Sequence, residues 1–344
     1  MQPCISIICP VFPAGAGIIP CFLRYAICIM RVIRNRPGLN EEAYASGRSA
    51  VTIGNFDGVH RGHRALVDRC RLLAGDRDAV AVVTFEPLPG AFFRPDHSPA
   101  RLSSVYRKLE LLRCLGVDIT WLMRFDNSLA ALTARQFTEQ VLFHGLNARY
   151  VVVGEDFRFG SGREGDVPLL ENLGNDFGFE VETVPAVLSN GARISSSGIR
   201  EKLAAGDFRS AAQWLGKPYR MEGHVVRGAS LGRKLGYPTA NLRIRSEPSP
   251  LGGVLAAWAR VSGGRWRPAV TNLGRRPVVG GGEPLLEVHF FDWDKDLYGQ
   301  RLEVQFVAKL RDELNFDGID SLVAQMELDE QEARLILAKT ELPG

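Results

Sequence analysis

Gly54-Asn55-Phe56-Asp57-Gly58-Val59-His60-Arg61-Gly62-His63 is the stretch that decides how the first half of this chain folds. It follows the apolar run Ala50-Val51-Thr52-Ile53, which reads as a buried strand. It precedes Ala65-Leu66-Val67 and Cys70-Arg71-Leu72-Leu73, which have helical spacing. Three glycines and two histidines therefore sit where a strand turns into a helix. Such a turn presents backbone N–H groups and the positive end of a helix dipole, a ready site for phosphate. Gly54, Gly58 and Gly62 let the backbone approach a ligand closely. His60 and His63 can donate to phosphate oxygens. With Asn55 and Asp57 they form the first set of candidate nucleotide-binding residues. A pair of surface or metal-binding histidines is the other reading of the same spacing.

Outward from this stretch, the pattern alternates. Strand-like runs at Val51–Phe56, Ala79–Phe85, Ile119–Phe125, Tyr150–Phe157 and Phe179–Pro185 are separated by helical candidates near 63–74, 103–116, 133–144 and 168–176. Alternation of this kind predicts a parallel α/β sheet, with ligands at the carboxyl ends of its strands. Two more segments are placed to reach the same crevice. Val153-Gly154-Glu155-Asp156-Phe157-Arg158-Phe159-Gly160 ends a strand and enters a loop with Gly162 and Gly165; a solvated turn is the alternative. In Ile194-Ser195-Ser196-Ser197-Gly198-Ile199-Arg200, the serines can cap a helix starting near 198, and capping alone would explain them. Arg200, expected in the first turn, adds positive potential beside the helix start.

Gly206 to Pro218 reads as a last helix and a linker, after which the pattern changes. Strand-like runs recur at Tyr219–Val226, Thr239–Ile244, Val254–Val261, Trp266–Leu273, Leu285–Phe291 and Leu302–Lys309, with no helix between them. Six short strands predict a small β-barrel, followed by helical candidates at 317–326 and 329–340. Gly228, Gly232 and Gly236 recur every four residues through a basic loop carrying Arg233. Pro238 and the flanking strands argue against a helix there and for a cationic loop over phosphates. Thr239 and Asn241 then put two hard oxygen ligands on one face of an extended chain, which suits Mg²⁺. Glu287 is a carboxylate in an apolar strand, either outward-facing or functional. His289 shares its face and reads as structural. Arg311-Asp312-Glu313 follows the last strand as a solvated turn or a flap over a ligand.

Bulk properties fit a soluble globular protein long enough for two domains. The chain has 344 residues, 45% apolar and 24% charged, with a net charge of +3. That charge gives no support for a nucleic-acid partner. Four of six cysteines (Cys4, Cys9, Cys21 and Cys28) lie near the start, in neither a disulfide nor a zinc pattern, so a reducing cytoplasmic setting is expected. Residues 1–23 carry no charge, but Pro3, Pro10, Pro13 and Pro20 interrupt any helix there and no basic region precedes the apolar run. Neither a membrane span nor a secretory signal is expected.

The His-x-Gly-His at 60–63 resembles the signature of the nucleotidyltransferase superfamily, and the full stretch resembles bacterial FAD synthetases, which are bifunctional riboflavin kinase/FMN adenylyltransferases. The 223–242 block is similar to riboflavin kinase, and both motif sets stand in the family's order. The resemblance implies a Rossmann-like α/β nucleotidyltransferase domain over 30–217. A six-stranded β-barrel riboflavin kinase domain with a C-terminal helix follows over 218–344. It implies that riboflavin is phosphorylated by ATP and the FMN then adenylylated to FAD, with Mg²⁺ as cofactor. By the same resemblance, His60, His63 and Arg200 act on the adenylyl-transfer phosphates, with Ser196 and Ser197 beside them, and Asp156 lies near adenine and ribose. Thr239 and Asn241 hold Mg–nucleotide, Glu287 is the general base, and Arg311 and Glu313 approach the flavin. Departures are Ser197 for threonine, Leu255 for the tyrosine of Gly-Val-Tyr, and Val278 for the threonine of Arg-Pro-Thr. Met30-Arg-Val-Ile-Arg looks like the family's usual beginning, so residues 1–29 are expected to be a non-native or disordered extension. Other readings are an enzyme with one activity retained, or a flavin-binding protein without turnover.

Overall fold

The computed structural model describes residues 29–34, 45, 47–228, 232, 236–244, 249–274, 285–293 and 295–343. Residues 1–28, Arg233 and the Arg276-Pro277-Val278 departure lie outside the described residues. By contacts the chain forms two compact units. One holds the described residues up to Pro99 together with Ser103–Ser195; the other holds Ala100–Leu102 and the residues from Ser196 onward.

The first unit is a six-stranded, wholly parallel sheet of β1 (Arg31–Ile33), β2 (Ser49–Ile53), β3 (Ala79–Glu86), β4 (Ile119–Arg124), β5 (Ala148–Gly154) and β6 (Glu180–Val184), in the order β1-β4-β3-β2-β5-β6. Every residue of β2 is buried, as a central strand covered on both faces requires. From β2 the chain winds to one side through β3 and β4 and to the other through β5 and β6. The switch point therefore falls between β2 and β5, where ligands lodge in open parallel sheets. Helix Arg61–Ala74 buries Val67, Cys70 and Ala74, one stripe at helical spacing. Helix Val105–Cys114 starts at Ser104, whose hydroxyl accepts from the Arg107 N–H.

Among the small features absent from the sequence reading are two β elements. β1 is a three-residue edge strand, and β7 (Leu188–Ser189) with β8 (Ala192–Arg193) forms a hairpin. Both are shorter than the window over which periodicity speaks.

The second unit is a closed antiparallel barrel of β9 (Arg220–Val226), β10 (Ala240–Arg243), β11 (Gly253–Val261), β12 (Arg267–Gly274), β13 (Leu285–Phe290) and β14 (Arg301–Arg311), in the order β10-β13-β12-β11-β14-β9. All six expected strands form. Before the barrel, helices Ser196–Ala204 and Phe208–Leu215 pack together. After it comes one helix, Ile319–Ala338, where two were expected. The expected gap at 327–328 is helical, and the buried Asp329 next to it lies inside the helix. Arg311 of β14 satisfies its carboxylate, so the helix runs through it. This helix lays Ala333 and Leu337 against Ala256, Trp258 and Phe291 on the barrel's outer wall.

Candidate active sites

The first site begins at the carboxyl end of β2. From Gly54 to His60 the chain enters the left-handed region at Phe56 (φ 48°), Gly58 (φ 77°) and Val59 (φ 45°). Phe56 and Val59 ordinarily avoid that region, so the surroundings must impose it. Both side chains are buried. Polar supports complete the mould. The Asp57 carboxylate accepts from the Ser103 N–H at 3.1 Å, and the Gly58 N–H donates to the Ser103 hydroxyl oxygen at 3.0 Å. The Thr84 hydroxyl donates to the Asn55 carbonyl at 3.0 Å, and Lys108 Nζ donates to the Thr84 hydroxyl oxygen at 3.3 Å.

His60 is the N-cap of helix Arg61–Ala74. Its Nδ1 accepts from the His63 backbone N–H at 3.3 Å, so its ring proton sits on Nε2, the donor nitrogen. The two imidazoles stack with centroids 3.7 Å apart. A Cβ on Gly62 would stand 3.1 Å from the His60 ring, which is why glycine is needed beneath it. No acidic residue occupies the first turn, so the positive helix end is not neutralised locally. Across the switch point, Asp156 follows β5, and Arg193 of β8 donates to its carboxylate at 2.8 Å. That bond holds Asp156 below the usual carboxylate range.

Ser196, Ser197 and Arg200 belong to the second unit. Helix Ser196–Ala204 starts two residues earlier than expected, so the serines form its first turn and Arg200 falls in its second. Arg200 Nε donates to the Ala100 carbonyl.

The second site lies on the barrel's outer wall, in a cavity of about 310 Å³. Strand register explains its composition. Asn241 of β10 stands opposite Glu287 of β13, Glu287 opposite Asn272 of β12, Asn272 opposite Val254 of β11, and Val254 opposite Arg311 of β14. One transverse row thus crosses five strands, and all five residues line the cavity with Thr239, His289 and Glu313. Directly opposed residues bring their Cβ atoms within about 5 Å. The Oδ1 atoms of Asn241 and Asn272 are buried and accept no hydrogen bond. Gly228 leaves room for Asn241: a Cβ there would lie 2.4 Å from its amide nitrogen. A Cβ on Gly232 would lie 2.3 Å from the Tyr237 carbonyl. Gly236, with φ 83°, makes the turn into Tyr237. His289 Nδ1 donates to the Pro238 carbonyl at 2.9 Å and pins the segment carrying Thr239. Arg311 grips Asp329 of helix Ile319–Ala338 through Nε at 2.9 Å and Nη2 at 2.7 Å. Glu313 packs over Gly274.

Sequence reasoning missed Lys108, Asn272 and Asp329. The cue that exposed Glu287, a polar side chain in an apolar strand, was equally present at Asn272. Lys108 and Asp329 resemble ordinary solvated helix positions.

A parallel sheet with a histidine-capped phosphate turn, joined to a six-stranded barrel with an oxygen-rich wall, defines a two-site, nucleotide-using transferase. Residues 43–198 match the model of the FAD synthetase family, and residues 215–337 match that of riboflavin kinase. The bifunctional riboflavin kinase/FMN adenylyltransferase of Escherichia coli K12 is 42% identical over 307 residues, 89% of this chain and 97% of that protein. The Haemophilus influenzae protein of the same description is 39% identical over 89% of this chain and 98% of its own. The crystal structure of a macrolide-efflux protein from Streptococcus pneumoniae superposes with a TM-score of 0.76 at 30% identity, covering 89% of this chain and 99% of that one. Among the described residues, no helix is long and apolar enough to cross a membrane. The chain belongs to the bifunctional riboflavin kinase/FMN adenylyltransferase family.

Proposed function

We infer that this chain makes FAD from riboflavin in two ATP-dependent steps. Riboflavin kinase activity yields FMN and ADP, and FMN adenylyltransferase activity yields FAD and pyrophosphate. The observation that carries the reading is the presence of both family regions, in order, in one chain that spans 97% of a bifunctional relative.

Phosphorylation is assigned to 218–344. Glu287 takes the proton of the terminal ribityl hydroxyl as its oxygen bonds to the γ-phosphorus and ADP leaves. The buried, unaccepting Oδ1 of Asn241 and the hydroxyl of Thr239 fit a hard cation. Mg²⁺ held there would neutralise phosphate oxygens of the nucleotide. Gly228, Gly232, Arg233 and Gly236 are assigned to the phosphates, and Arg311 and Glu313 to the flavin side. With Arg311 committed to Asp329, its role there is to shape the wall.

Adenylylation is assigned to 30–217. An FMN phosphate oxygen bonds to the α-phosphorus of ATP as the bond to pyrophosphate breaks. The nucleophile is already an anion, so positioning and charge neutralisation carry the step. His60 donates from Nε2, with His63 and the loop N–H groups as the other phosphate contacts of the first unit; Ser196, Ser197 and Arg200 are assigned to the phosphates from the family resemblance. Asp57, engaged with Ser103, shapes the loop. A cytoplasmic setting agrees with Cys70 being a buried thiol rather than half of a disulfide.

The test is a chromatographic time course with riboflavin, ATP and Mg²⁺. FMN with ADP should appear first, then FAD with pyrophosphate, and chelation should stop both. Flavin binding without either product would favour the binding-protein reading instead.

A further inference from the structure

The cavity wall holds an acceptor that the reaction so far leaves unused. Asn241 and Asn272 flank Glu287 on the neighbouring strands, and the amide oxygens of both are buried without a hydrogen bond. Three oxygen acceptors thus stand side by side. Buried acceptors are costly unless a donor or a cation meets them. Three of the cavity's donor side chains are committed within the protein. Arg311 binds Asp329 and the Asp312 carbonyl, His289 binds the Pro238 carbonyl, and the Thr271 hydroxyl donates to the Leu255 carbonyl at 3.3 Å. A bound ligand or cation would supply partners for the two amide oxygens. A cation at Asn241 and Thr239 accounts for one of them, leaving that of Asn272 beside Glu287.

We propose that Asn272 is a specificity-determining residue of the flavin site: its Oδ1 accepts a hydrogen bond from the ribityl chain, beside the hydroxyl that Glu287 deprotonates. The inference rests on the Glu287 reading above. The phosphates of ATP offer no donors at neutral pH, whereas the ribityl chain is a row of them. A site built around a substrate hydroxyl rejects an analogue lacking it, because its own polar group is then left unpaired. Asn272 therefore selects flavins with a hydroxylated side chain over flavins without one.

The test is a fluorescence titration of the full chain with riboflavin and with lumiflavin, which lacks the ribityl hydroxyls, for wild type, Asn272→Ala and Asn272→Ser. Asn272→Ala should weaken riboflavin binding by about tenfold, the loss of one neutral hydrogen bond, and leave lumiflavin binding unchanged. Asn272→Ser, which keeps a smaller acceptor, should recover part of the difference. The Mg²⁺ concentration for half-maximal kinase activity should stay at the wild-type value in Asn272→Ala and rise in Asn241→Ala. Unchanged riboflavin binding, equal weakening of both flavins, or a Mg²⁺ shift matching that of Asn241→Ala would each overturn the proposal. If a thermal melt shows Asn272→Ala unfolded, Asn272→Ser decides by the riboflavin-to-lumiflavin ratio. Glu287→Gln separates the two readings. Continued FMN formation by that variant removes the base assignment, while the binding ratios judge Asn272 independently.

Discussion

Lys108 is only 2% exposed, and its Nζ donates to Thr84, whose hydroxyl donates in turn to the Asn55 carbonyl. This relay reaches from helix Val105–Cys114 to the Gly54–His60 loop. Replacing Lys108 with Met keeps the bulk and removes the donor, so the loop loses one of its fixed points. Misplacement of about 1 Å costs on the order of 10²-fold in well-positioned reactions. We expect kcat/KM for FMN adenylylation to fall by roughly 10- to 100-fold, with riboflavin phosphorylation by the same preparation as the unaffected control. Cys70 gives a second residue-scale prediction. Burial pushes its thiol far above the ordinary range, so almost no thiolate forms. Mass mapping after alkylation should find Cys70 unmodified in the native protein and modified after unfolding. The glycine–histidine stretch was readable from the sequence because its chemistry and its backbone demands are local. Lys108 was not, because its partners lie 24 and 53 positions away in the chain (108 − 84 and 108 − 55).

Helix Ile319–Ala338 owes its docking to one buried ion pair as well as to apolar contacts. Arg311 and Asp329 are 18% and 6% exposed at their side chains, and Gln325 adds a bond to the same carboxylate at 3.0 Å. Removing one partner strands the other, which costs about 3–5 kcal/mol when such a pair is buried. Asp329→Ala should therefore lower the melting transition of the second unit and reduce kinase activity, since Asp329, Leu314 and Phe316 all line the cavity. Calorimetry with parallel kinase assays checks both. All six barrel strands and the five longer parallel strands were legible, because alternation and apolar runs carry over four or more residues. The transverse row was not. Register between strands far apart in sequence is set by the barrel, and no single strand records that Asn241, Glu287 and Asn272 share a line. The final helix is unbroken where two were expected, and the partner of its buried Asp329, Arg311, lies on another element that the local pattern does not record.

The whole molecule holds two compact units, and the two proposed reactions draw on ATP alike while FMN is the product of one and the substrate of the other. Neither site's proposed groups repeat in the other: stacked histidines at a helix start are assigned to one, and a carboxylate between two amides to the other. Their activities should therefore be separable by substitution. The most direct measurement is chromatographic analysis of flavin products from Glu287→Ala and from the His60→Ala/His63→Ala double variant, each supplied with ATP, Mg²⁺ and either riboflavin or FMN. Glu287→Ala should leave riboflavin untouched yet turn FMN into FAD, and the histidine variant should turn riboflavin into FMN and stop. FMN made from riboflavin by Glu287→Ala, or FAD made from FMN at the wild-type rate by the histidine variant, would contradict this separation.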